Sequence, residues 1–162
     1  MPARIAFIVV VLLLSVGCDQ STKSLARTHL RDSDAVTMLG GTIRLEYAEN
    51  PGGFLSLGDH LPGRWRSAAF TGIGIAGALA LFTYALFFSS DRIQVVAVSL
   101  MCAGAVGNLL DRLFWGGNVT DFLNVGIGPV RTGIFNVADV SLMAGALLLA
   151  LTTRSARANR AG

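Results

Sequence analysis

Ile134-Phe135-Asn136-Val137-Ala138-Asp139-Val140-Ser141-Leu142-Met143 opens an apolar run that continues to Leu151 and carries one carboxylate and one carboxamide. A run of this length is close to the roughly 20 residues that a helix needs to cross a bilayer. A central charge in such a helix costs about 2.5–3.5 kcal/mol on insertion scales, so intramembrane carboxylates face partners or water-filled cavities. Asn136 and Asp139 fall on one helical face. Asp139 has no basic residue nearby in sequence, so a simple salt bridge does not account for it.

Three further apolar runs lie upstream. The first is Ile5 to Cys18, continuing through a polar turn to about Ala26; the second is Ala68 to Phe88; the third is Ile93 to about Leu110. Small residues recur at helical spacing, Gly72, Ala76 and Ala80 on the second and Ala103 and Gly107 on the third, which predicts close helix packing in lipid. The reading is an all-α membrane protein: a four-transmembrane-helix bundle with a small extracytoplasmic β-rich insert between helices 1 and 2. It forms a single membrane-embedded domain, 1–162, with helices at about 5–26, 68–88, 93–114 and 133–152 and the insert at about 28–63.

Composition agrees. Hydrophobic residues make up 52% of the 162 and charged residues 14%, against about 25% charged in soluble domains; mean hydropathy is +0.59. The net charge of +3 is dispersed, which argues against nucleic acid and fits contact with anionic membrane lipids. Cys18 and Cys102 lie within apolar stretches, without the spacing of a disulfide framework or a zinc site, and are read as packing residues. Leu14 to Cys18 looks like a lipid-attachment signal, but its leucine stands one place too far from the cysteine, so the segment is read as part of a retained first helix. An even number of spans puts both termini on one side, and Arg154, Arg157 and Arg160 place that side in the cytoplasm. Lys23, Arg27, Arg31, Arg44, Arg64 and Arg66 count against that orientation.

Within the insert, Thr42 to Tyr47 alternates polar and apolar residues as a half-buried strand does. Gly40-Gly41 suits a hairpin turn, with Val36 to Leu39 as partner strand. Asn50-Pro51-Gly52-Gly53 reads as a loop and Phe54 to Leu57 as a third strand, giving a small sheet on the membrane surface. Trp65, between Arg64 and Arg66, is placed at the headgroup level.

The polar residues gather at one end of the expected bundle. Asp19 and Lys23 are four apart in the favoured acid-before-base order. Asn108, Asp111 and Arg112 are spaced so that Asn108 can meet both of the others. Asp121, in the loop between spans three and four, can fold back over Asp139. Two carboxylates sharing a site cannot both ionise easily, which leaves one to activate water and one to polarise a carbonyl. His29 and His60 lie in the insert without triad partners, and no metal-ligand spacing is present. A proton-coupled transporter using Asp111 and Asp139, or a non-catalytic assembly subunit, are the competing readings; the transporter predicts carboxylates spread over the membrane depth.

Four short patterns, in order along the chain from the first span to the fourth, resemble lipoprotein signal peptidase, also called signal peptidase II. They are Asp19-Gln20-Ser21-Thr22-Lys23, Gly107-Asn108-Leu109-Leu110-Asp111-Arg112, Val119-Thr120-Asp121-Phe122 and Phe135-Asn136-Val137-Ala138-Asp139. The resemblance implies an aspartic endopeptidase that cleaves bacterial prolipoproteins just before their diacylglyceryl-modified cysteine, with Asp121 and Asp139 as the catalytic dyad. It also implies that Asn108, Arg112, Asn136 and Asp111 line or brace the site, that Asp19 and Lys23 support the first helix, and that Asn50 and Gly52 belong to the insert loop near the substrate. The expected enzyme needs no metal or cofactor and works as a monomer in the inner membrane, with cytoplasmic termini and its site near the outer leaflet. One departure stands out: the family's Asn-x-Gly-Ala-Ala-Phe is here Asn50-Pro51-Gly52-Gly53-Phe54, one residue shorter.

Overall fold

Every apolar run becomes a helix, and local causes fix both ends of the third helix and the start of the fourth. The computed structural model describes residues 2–52, 62–89 and 91–161, with side chains as far as Thr153. Its helices are α1 (Pro2–His29), α2 (Gly63–Phe87), α3 (Arg92–Phe114) and α4 (Val137–Ala161). The first three are long and apolar enough to cross a membrane; the apolar part of α4, Val137–Thr153, is shorter. Asp91 caps α3 by accepting from Gln94 N at 2.7 Å, and α3 stops before Gly116 and Gly117, both at positive φ. α4 begins at Val137 instead of about 133, because the backbone of Phe135 is taken by a strand: it exchanges two hydrogen bonds with Leu123, each 2.8 Å.

Half of the apolar stretch of α3 is buried, against 11% in α1 and in α2, which makes α3 the central helix. Glycine permits the approach of its neighbours. A methyl group at Gly104 would lie 2.3 Å from Ala138 O of α4, and one at Gly107 would lie 2.6 Å from Asp19 Oδ2 of α1. Ala103 is buried too, so the stripe expected on the third helix packs as read. The stripe expected on the second does not. Gly72, Ala76 and Ala80 are exposed, and α2 instead turns Gly74 and Ala78 toward α3. Cys102 is buried, with its thiol 3.5 Å from Ala78 O, whereas Cys18 is exposed and packs no core. Leu13, Leu14, Ile73, Leu79, Met143 and Leu147 are also exposed, an apolar exterior suited to lipid.

The sheet is where expectation and structure differ most. Its strands are β1 (Val36–Met38), β2 (Ile43–Asn50), β3 (Val119–Ile127) and β4 (Val130–Arg131), antiparallel and in that spatial order. The β1–β2 hairpin is as read: Leu39–Gly41 makes the turn, with Gly40 and Gly41 at φ 64° and 89°. The proposed strand Phe54 to Leu57 lies outside the described residues. The neighbour of β2 is β3, contributed by the segment between α3 and α4, so the sheet is not confined to the insert. Arg131 clamps the two halves, donating to Gly41 O at 2.8 Å and to Asn124 Oδ1.

Candidate active site

Asp139 sits in the first turn of α4 and makes a reciprocal cap with Asn136. Asn136 Oδ1 accepts from Asp139 N at 3.0 Å, and Asp139 Oδ2 accepts from Asn136 N at 3.1 Å. This is a capping box with aspartate in the usual place of glutamate. The other oxygen, Asp139 Oδ1, accepts from Asn108 Nδ2 of α3 at 2.9 Å.

Asp121 is on β3, not in a loop. Strand pairing puts it opposite Ala48, within the buried part of the strand. Its Oδ1 accepts from Asn136 Nδ2 at 2.6 Å and its Oδ2 from Asn50 Nδ2 at 3.0 Å. Burial, against those two hydrogen bonds and with help from the negative charge of Asp139, pushes the Asp121 carboxyl up to about 6. Asn136 thus touches both aspartates, and its Nδ2 also donates to Asn108 Oδ1 at 3.1 Å. Neither Asp121 nor Asp139 forms an ion pair among the described residues.

Arg112 joins the insert to the bundle. Its Nη2 donates to Gly52 O at 3.0 Å and its Nη1 to Asn108 O at 3.1 Å, while Nε is buried without a hydrogen-bond partner among the described residues. Asn50 Oδ1 accepts from Gly52 N at 3.1 Å, which fixes the loop start and turns the Asn50 amide on Asp121.

The remaining polar residues form a second cluster that adjoins this site, joined to it where Lys23 Nζ donates to Asn108 Oδ1 at 2.9 Å. Asp19 and Lys23 are paired at 2.9 Å and almost fully buried. Asp111 does not meet Asn108, as its spacing had suggested. It accepts from Arg27 Nη2 at 2.8 Å, from Gln20 Nε2 at 3.1 Å and from Thr120 N at 2.8 Å. The sequence patterns by themselves assign Gln20, Arg27 and Thr120 no part in this cluster. The signal was present for Arg27, since Asp19, Lys23 and Arg27 succeed one another at four-residue steps on one face of α1.

Chemically, the first constellation is two carboxylates held by amide and backbone N–H donors, one of them able to keep a proton near neutrality. That is the equipment for general acid–base hydrolysis of an amide. The clustering of Asp19, Asp111, Asp121 and Asp139 in one region lends no support to a proton relay across the membrane depth.

Comparison with known proteins agrees. A family model described as signal peptidase (SPase) II matches residues 10–154. The lipoprotein signal peptidase of Syntrophus aciditrophicus strain SB is 35% identical over 132 residues, 81% of each chain. That of Caldicellulosiruptor bescii is 36% identical over 141 residues, 86% of this chain and 85% of its own. A solved structure described as a bacterial membrane enzyme matches with a TM-score of 0.85 at 28% identity, covering 96% of this chain and 92% of its own.

Proposed function

The chain belongs to the signal peptidase II family, a membrane aspartic peptidase that removes signal peptides from prolipoproteins, and we propose on that premise that Asp121 and Asp139 are its catalytic dyad. The observation that carries the assignment is Asn136, whose side chain bonds Asp121 while its backbone and carbonyl oxygen box in Asp139. One shared proton defines the resting state. The ionised carboxylate takes a proton from water, whose oxygen attacks the scissile carbonyl carbon. The protonated carboxyl gives its proton toward the carbonyl oxygen, and collapse of the tetrahedral intermediate expels the amine with a proton returned through the pair. Asn50, Asn108 and Asn136 hold the carboxylates without neutralising them, and Arg112 tethers the loop at Gly52 over the site.

In this reading the four helices all span the inner membrane as one domain, with both termini cytoplasmic and the sheet and dyad at the outer leaflet. The substrate is a prolipoprotein already carrying diacylglyceryl on its cysteine, and the enzyme acts as a monomer. Asp139 in the first turn of α4 and Asp121 on the adjoining strand support this, because a soluble peptide would have to leave water to reach them. Two acyl chains anchor a substrate firmly, and that remote binding energy can orient the scissile bond. Matched lipidated and unlipidated prolipoproteins, assayed in the same liposomes, test the reading. Cleavage of the lipidated form alone is expected; equal rates would show that the lipid is not recognised.

A further inference from the structure

Beside the dyad lies an ammonium that the chemistry above does not use. Lys23 Nζ, fully buried, is 2.9 Å from Asp19 Oδ2 and 3.4 Å from Asp111 Oδ2, and it donates to Asn108 Oδ1 at 2.9 Å. Each of these three acceptors holds a different part of the site. Asp19 Oδ1 accepts from Ala138 N at 2.8 Å, which fixes the first turn of α4 one residue before Asp139. Asp111 Oδ2 accepts from Thr120 N at 2.8 Å, which fixes β3 one residue before Asp121. Asn108, whose oxygen accepts from Lys23 and, at the longer 3.1 Å, from Asn136 Nδ2, presents its own Nδ2 to Asp139. A carboxamide has donors at one end and an acceptor at the other, so the ammonium, with Asn136 Nδ2 at 3.1 Å, holds the oxygen away from the carboxylate and turns the Nδ2 end toward it.

We propose that Lys23 is a positioning residue for the hydrolysis: one cation that registers α1, α3, β3 and α4 so that both aspartates reach a single geometry, with the Asn108 amide facing Asp139. The proposal rests on the dyad assignment. A cation that only neutralised charge would need to face Asp19 and Asp111; the third bond, to Asn108, has no part in charge balance.

Three variants, purified in detergent and assayed on a lipidated prolipoprotein, test it: Lys23→Met, Lys23→Met with Asp19→Asn, and Asp139→Asn. The double variant keeps the buried charges balanced, Asp111 against Arg27, and keeps an oxygen to accept from Ala138 N. Misplacement of a catalytic group by about 1 Å costs on the order of 100-fold, so Lys23→Met should lose roughly that in kcat while KM moves by less than about threefold. The double variant should melt close to wild type and stay as slow. Recovery of wild-type kcat in the double variant would reduce Lys23 to a counter-charge and overturn the proposal. A double variant that does not fold would also overturn it, by making Lys23 a requirement for folding instead of for placement. Activity in Asp139→Asn would sink the dyad assignment itself; an inactive Asp139→Asn beside a fast double variant would sink only the role of Lys23.

Discussion

Two pairs of aspartates lie close together in this molecule, and their partners are of opposite kinds. Asp19 and Asp111 meet Lys23 and Arg27, and their remaining acceptor capacity goes to Gln20 and to the backbone of Ala138 and Thr120. Asp121 and Asp139 meet three asparagines and one backbone N–H. Both pairs are held by hydrogen bonds, but only the first is charge-compensated. A compensated cluster ties its elements together by paired charges and serves as a frame. Carboxylates held by neutral donors keep their position and can still exchange a proton. On the proposed dyad assignment, the difference separates the residues that build the site from those that do the chemistry.

Removing a member of the frame should cost the fold itself. Asp111→Ala leaves Lys23 and Arg27 short of a carboxylate and Thr120 N without its acceptor. Taking one partner from a buried ion pair costs about 3–5 kcal/mol, so the variant should unfold at much lower temperature, measurable by its melting in detergent. Near wild-type melting would mean that the cluster is not a frame.

A smaller effect sharpens the other side. If the active dyad holds one proton, and burial has raised Asp121 to about 6, the free enzyme loses the active form as pH rises through that value. The sign follows from a raised acid: protonated below, ionised above. Above the limb kcat/KM should fall about tenfold per pH unit, and at lower pH it should fall again as the second carboxylate protonates. A profile flat from about pH 5 to pH 8 would contradict the shared proton.

The smallest effect belongs to an ion pair outside both regions. Arg31 and Glu49 meet at 3.1 Å with more than a third of each side chain exposed. Exposed pairs contribute about 0–1 kcal/mol, so Arg31→Gln should leave melting and turnover almost unchanged. A large loss would place this pair inside the frame.

The helices, the β1–β2 hairpin and the carboxylates were all legible in the sequence, because hydropathy, glycine pairs and isolated charges in apolar runs are local signals. What the sequence hid was non-local. Asp121 read as a loop residue because Val119 to Ile127 buries Thr120, Asp121 and Asn124 and shows no alternation, while its partner strand lies some 70 positions upstream (Ala48 pairs with Asp121). The packing face of α2 was misread for a different reason. A helix in lipid is apolar all round, so neither hydropathy nor a small-residue stripe tells the inner face from the outer one. Spacing along α3 placed Asp111 near Asn108, yet α1 supplies the cations that draw Asp111 away.

On the proposed assignment, Asp121 and Asp139 act as one unit while Asp19 and Asp111 hold the frame. Turnover of a lipidated prolipoprotein by Asp121→Asn, Asp139→Asn and the double variant, with melting recorded for each, decides it. Groups that act as a unit are non-additive, so each single change should reduce kcat by roughly 10³-fold or more and the double should be hardly slower, with every variant still folded. Substantial turnover by either folded single variant would remove that aspartate from the chemistry and contradict the account.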